Sequence, residues 1–126
     1  MSPRDLARFF AALFGGRVFD RPGTLGEMLW KGPHKGADAY RLGVFVKRTD
    51  AGELYWHSGF WGTVAYYDPG TRTAVAGAAL NQDAYRALVR FAERLLAPAG
   101  AAAARAGAGA RPGAEQTRSD RRAGAR

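Results

Sequence analysis

The chain has 126 residues, no cysteine, 47% hydrophobic residues, and nineteen Lys and Arg against eleven Asp and Glu, a formal net charge of +8. That length supports one domain, and the lack of cysteine excludes a disulfide framework, thiolate metal sites and a cysteine nucleophile. No apolar run approaches the roughly 20 residues of a membrane span, and Pro3, Arg4, Asp5 and Arg8 close behind Met1 do not fit the layout of a secretory signal.

The first predicted element is a helix. Ser2 is a good N-cap, Pro3 suits the first helical position, and Asp5 stands where a carboxylate answers both cap and dipole. Leu6, Phe9, Phe10, Leu13 and Phe14 recur at the spacing of one buried face, and Gly15-Gly16 ends the helix. A second short helix is expected from Thr24 to about Trp30, with Thr24 as cap and Glu27 in capping-box position. Lys31 to Gly36 reads as a loop.

The middle of the chain reads as β. Tyr40–Lys47 and Glu53–His57 are expected to form an antiparallel hairpin about the Thr49–Gly52 turn. Thr63–Tyr67 is a third strand, ended at Asp68-Pro69-Gly70, and Thr73–Leu80 is a fourth, rich in Ala and Val and expected to be buried on both faces. A last helix runs from about Asp83 to Leu96, with Ala84, Leu88, Phe91, Leu95 and Leu96 facing inward. The fold class is therefore α+β, an antiparallel sheet flanked by N- and C-terminal helices.

Residues 1–97 hold this domain and residues 98–126 form an Ala/Gly/Arg-rich tail. The tail has six Arg, at 105, 111, 118, 121, 122 and 126, against Glu115 and Asp120. It contains no aromatic residue and no Leu, Ile or Val, so it lacks the apolar surface to offset its ordering entropy and is expected to be disordered. Nucleic-acid binding by these arginines lacks the stacking aromatics that accompany it.

Candidate chemistry centres on His57-Ser58-Gly59-Phe60-Trp61-Gly62. Neighbouring strand residues point to opposite faces, so His57 is badly placed to act as base for Ser58. Gly59 and Gly62 suit a close approach to the backbone. Equally, this is the pattern of a strand that ends in a glycine bend with Tyr55, Trp56, Phe60 and Trp61 packing around it. His34, the other histidine, lies in the Lys31–Gly36 loop, and no cluster has metal-ligand spacing. Gly107-Ala108-Gly109 with Gly113 follows no strand and is no dinucleotide fingerprint. Asp20, Glu27, Asp50 and Glu53 read as solvated carboxylates of caps and turns.

Taken in order, residues 2 to about 97 resemble the C-terminal part of the serine β-lactamase-like hydrolases, the family of class C β-lactamases, D-alanyl-D-alanine carboxypeptidases and related esterases. Ser2–Gly16 looks like the helix after the second active-site motif, and Thr24-Leu-Gly-Glu-Met28 like the next short helix. Tyr40-Arg-Leu-Gly43 resembles the strand before the third motif, and His57-Ser58-Gly59 matches that motif, Lys/His-Thr/Ser-Gly, in its histidine form. Gly62–Pro69 and the strand ending at Asn81 continue the pattern. The resemblance implies an incomplete β-lactamase/transpeptidase-like fold and amide or ester acyl transfer through a serine acyl-enzyme, with no cofactor.

The resemblance also assigns roles. His57 would supply a positive or hydrogen-bonding group beside the nucleophile, Ser58 would bind a substrate carboxylate or relay a proton, and the backbone N–H of Phe60, next to Gly59, would be an oxyanion-hole donor. Tyr55, Trp56 and Trp61 would shape an acyl pocket. Two family motifs are missing. Three residues after Ser2, Ser58 and Ser119 stand Asp5, Trp61 and Arg122, so there is no Ser-x-x-Lys. No tyrosine is followed two residues on by Asn, so there is no Tyr-x-Asn. The expectation is a C-terminal fragment, inactive alone unless completed by an N-terminal half. The alternative is a non-catalytic interaction module that docks, or self-associates, through exposed core.

Overall fold

The computed structural model describes the backbone of residues 1–108 and the side-chain surroundings of residues 1–97. Helix α1, Pro3–Phe14, starts with the expected capping box. The Asp5 N–H donates to Ser2 Oγ at 3.2 Å, and the Ser2 N–H donates to Asp5 Oδ2 at 3.2 Å. Hydrogen bonds from the Ser2 side chain and backbone hold the Asp5 carboxyl below the usual carboxylate range. Helix α2, Thr24–Leu29, is capped by Gly23 at φ +92°, not by Thr24. Glu27 is drawn instead to Arg21, 2.9 Å away and exposed.

Five strands follow, one more than expected: β1 Tyr40–Arg41, β2 Val44–Thr49, β3 Gly52–Ser58, β4 Thr63–Asp68 and β5 Thr73–Ala78. The expected Tyr40–Lys47 strand is broken by a two-residue hairpin at Leu42-Gly43, where Arg41 pairs with Val44 and Gly43 takes φ +76°. The strands form an antiparallel meander in the order β1-β2-β3-β4-β5. Asp68 closes the β4–β5 connection by accepting from the Gly70 N–H at 2.8 Å and from Thr71 Oγ1 at 2.9 Å.

The sheet has a helix on each face. Phe10, Leu6 and Phe14 of α1 pack on Ala65, Tyr67, Tyr55, Ala74 and Ala76, with the Phe14 ring stacked at 5.1 Å from Tyr55 and 4.9 Å from Tyr67. The opposite face carries helix α3, Gln82–Ala108. Its Ala92 and Leu96, with Tyr85, Leu88 and Val89, pack on Leu54, Val64, Tyr66, Trp56 and Val75. Burial on both faces therefore belongs to β4, whereas β5, where the sequence suggested it, is half-buried at the sheet edge.

Four residues of the predicted apolar stripes stay exposed, Ala84 in the first turn of α3 among them. Phe9 of α1 is 43% exposed, and Phe91 and Leu95 of α3 are 55% and 48% exposed. The backbone of α3 also continues to Ala108 rather than ending at Leu96. Composition excluded burial there, yet Ala is the strongest helix former and needs no buried face to stay helical. The disorder expected over 109–126 lies outside the described residues.

A polar group is built into the α3 face. The Tyr66 hydroxyl donates to Glu93 Oε1 at 3.1 Å, and Lys47 Nζ lies 2.6 Å from the same oxygen. Burial, then the Glu93 charge, pushes the Tyr66 phenol pKa up. A phenol held protonated in the fold stabilises the chain below the ordinary tyrosine range of about 10 and loses that contribution as pH rises beyond it. Stability should therefore fall as pH passes about 10, and Tyr66→Phe should remove one late-titrating phenol from the absorbance titration; an unchanged late count would contradict this. In denaturant melts, Phe10→Ala should cost about 3–5 kcal/mol, against about 1 kcal/mol for Phe9→Ala.

Candidate functional site

Strand β3 ends at Ser58 and turns through Gly59-Phe60-Trp61-Gly62 into β4. The Gly59 N–H donates to the Thr63 carbonyl at 2.8 Å, and the Gly62 N–H to the Gly59 carbonyl at 3.1 Å. Both glycines are required. A Cβ on Gly59 would collide with Thr63 Oγ1; one on Gly62, which sits at φ +83°, would collide with the Ala79 carbonyl. The Ala79 N–H donates to the Gly62 carbonyl at 2.9 Å, tying the turn to the segment between β5 and α3. There Asn81 caps α3, its Oδ1 accepting from the Ala84 N–H at 2.8 Å.

The turn opens on a cavity of about 340 Å³ lined by Ser58, Phe60, Trp61, Asn81, Gln82 and Tyr85 among others. Phe60 and Trp61 are 92% and 86% exposed and meet edge to face at 5.1 Å. No acceptor among the described residues takes the Phe60 N–H. Among the described residues no lysine, histidine or carboxylate lines the cavity.

The strand register separates the named residues. His57 pairs with Ala65 and lies on the α1 face, exposed, with its ring 5.4 Å from that of Phe45. Ser58 pairs with Val64 and lies on the α3 face. Tyr55 and Trp56 are divided in the same way. Tyr55 stacks on Phe14, and Trp56 stacks between Phe45 at 4.7 Å and Tyr66 at 5.6 Å. The three aromatics therefore do not gather into one acyl pocket. Trp61 alone of them lines the cavity beside Ser58, because period-2 alternation sends Tyr55 and Trp56 to opposite cores.

Sequence reasoning missed a charged cluster on the α1 side of the sheet. The buried Arg41 guanidinium donates to Glu53 Oε1 at 2.8 Å and lies 5.9 Å from the centre of the Tyr55 ring. Arg48 adds contacts to Glu53 at 3.8 Å and Asp38 at 2.7 Å, and Lys31 reaches Asp38 at 2.6 Å. The Lys31 hydrogen bond holds the Asp38 carboxyl below the usual range. Glu53 is thus a strand residue that neutralises a buried cation, not a solvated turn carboxylate. Its partner lies 12 residues away, so no local spacing signals it.

Ser2 is occupied by its capping role, with Oγ 2.7 Å from Asp5 Oδ2, and Ser119 lies outside the described residues. A second cavity, of about 680 Å³, lies between the β2–β3 turn and α3, lined by Leu54, Leu96, Lys47, Glu93, Arg90 and Arg94 among others. It is larger, but Lys47 there is tied to Glu93. No group of three or more His, Asp or Glu among the described residues is arranged to hold a metal ion.

The turn geometry yields a stability test. Gly62→Ala should cost about 2 kcal/mol or more, from the positive φ and the collision with the Ala79 carbonyl. Gly26→Ala, in α2 with open space around it, should be neutral or gain up to about 1 kcal/mol. Equal urea midpoints for the two variants would contradict the turn described.

No curated protein and no solved structure matches the chain. The Beta-lactamase family model matches residues 1–101. That span takes in both helices before the sheet, all five strands, the His57-Ser58-Gly59 turn and the packed part of α3. The partial fold agrees with it, an antiparallel sheet between helices, and the chain belongs to the β-lactamase family of serine hydrolases.

Proposed function

We propose that this chain carries one wall of a serine acyl-transfer site acting on amides or esters, and that by itself it does not turn over substrate. The observation that carries this reading is the end of β3: a Phe60 N–H with no acceptor among the described residues, at a turn that lines one cavity together with Ser58. A backbone donor fixed by a hairpin is aimed before negative charge develops on a carbonyl oxygen. Such a donor can be worth on the order of 3 kcal/mol of barrier.

In this reading Ser58 binds a substrate carboxylate or relays a proton from the cavity side, and His57 addresses the strand end from the other face. Gly59, whose missing Cβ makes room for Thr63 Oγ1, keeps the turn that presents the Phe60 N–H. Trp61 supplies an apolar wall, while Tyr55 and Trp56 act indirectly by locking β3 between the two cores. The acyl-accepting serine and its base belong to a Ser-x-x-Lys segment, and a Tyr-x-Asn segment completes the site; neither motif occurs in these 126 residues. Acyl transfer requires a nucleophile activated by an adjacent base, and the cavity beside Ser58 holds none. The exposure of Phe60 and Trp61 favours a second reading, a module that docks on another chain without chemistry.

Two measurements separate these readings. Intact mass after a fluorophosphonate or penicillin probe should show no adduct on the chain alone; a stoichiometric adduct on any serine would overturn the proposed silence. Co-expression with an N-terminal half from this family that carries Ser-x-x-Lys and Tyr-x-Asn should yield ester hydrolysis. His57→Ala or Ser58→Ala should then lower that rate about 100-fold. Equal rates with native and variant chains would favour the docking module.

A further inference from the structure

The imidazole of His57 is held by few contacts. The one hydrogen bond from a histidine ring among the described residues belongs to His34, whose Nε2 donates to the Tyr40 carbonyl at 3.3 Å. His57 is exposed, and the one ring packed near it among the described residues is Phe45, 5.4 Å away and tilted by 42°. An exposed side chain with no hydrogen bond ordinarily moves among several staggered positions. A group that must stand beside a nucleophile loses rate when it does so.

The contact with Phe45 is not the usual one between strands. Alternation along β2 and β3 puts Phe45 on the α3 face, opposite Trp56, and His57 on the α1 face. Inside a ladder the paired backbones would keep two such side chains apart. The β2–β3 ladder stops at Phe45↔Trp56, however, and no Val44–His57 pair follows it. The two rings approach past that last pair.

Phe45 is itself fixed. Its ring stacks on Trp56 at 4.7 Å and meets Tyr40 edge to face at 4.7 Å. Trp56 stacks in turn on Tyr66 at 5.6 Å, and Tyr66 is buried with its hydroxyl bound to Glu93. A row of four rings thus crosses β1 to β4, anchored in the core beneath α3 at its inner end. None of the four lines the cavity beside Ser58.

We propose that Phe45 is a positioning residue for His57: locked between Tyr40 and Trp56, its ring selects one placing of the imidazole at the end of β3. Aromatic pairs with centroids about 4.5–7 Å apart attract one another beyond the area they bury, and this is the one such pair that His57 makes among the described residues. The positioning is a property of the folded chain. Its consequence for acyl transfer rests on the reading proposed above, and reaches the site through His57.

Nuclear Overhauser spectra of the full chain should show contacts from the Phe45 ring to His57 Hδ2 or Hε1, with the imidazole resonances displaced from random-coil positions. Phe45→Leu, which keeps an apolar side chain without a ring, should return those resonances to random-coil positions and leave the far-UV spectrum unchanged; Phe45→Tyr should keep them displaced. No such contact in the native chain, or resonances that ignore Phe45→Leu, would overturn the positioning. In the co-expressed assembly, Phe45→Leu should lower kcat about tenfold with KM within about twofold, and Phe45→Tyr should restore it. An assembly that loses its rate in His57→Ala yet ignores Phe45→Leu would overturn the catalytic consequence. An assembly with no hydrolysis would overturn the acyl-transfer reading and that consequence with it, but not the positioning, which the spectra of the chain alone decide.

Discussion

The rest of the structure depends on strand β4 being buried on both faces. Val64 and Tyr66 face α3; Ala65 and Tyr67 face α1. Because side chains alternate with a period of two, a one-residue slip would move a tyrosine into the place of a small residue on each face. That constraint fixes the register of β3 beside it, and with it the placing of His57 and Ser58 on opposite faces at the strand end. The chemistry available at the turn is a consequence of how β4 is packed.

Charge is handled differently on the two sides. On the α3 face one carboxylate, Glu93, accepts from both Tyr66 and Lys47, so a hydroxyl that burial would otherwise strand has a partner. On the α1 side Arg41 is buried with Glu53 as its counter-ion, and Arg41 Nε has no partner among the described residues. Removing Glu53 would leave that cation uncompensated, which costs far more than an exposed pair such as Arg21–Glu27 is worth. The pair pins the β1–β2 hairpin to β3, the strand that carries the motif.

Much of this was legible from local chemistry. The Ser2/Asp5 capping box, the stop at Gly15 and the Asp68 turn depend on residues within a few positions of one another, and so does the alternation along β3 and β4. The family was legible because an ordered set of segments, none specific alone, fell in sequence around His57-Ser58-Gly59. What escaped depends on distant partners. Phe9, Phe91 and Leu95 satisfy a helical stripe, but which part of a stripe is covered depends on where the sheet lies beneath it. Tyr55, Trp56 and Trp61 look like one aromatic cluster along the chain and occupy three separate surroundings in the fold. Gly43 was read inside a strand because a two-residue hairpin and a glycine within a strand differ only in what pairs across them.

The measurement that tests this account most directly is a NOESY spectrum of the aromatic and methyl protons. The account predicts contacts from Phe14 to Tyr55 and Tyr67, and from the Leu88 methyls to Gly77, with none between Phe14 and Tyr66. Contacts from Phe14 to Tyr66 would mean that β4 is turned over, with Ser58 on the α1 face, and would contradict the site as described.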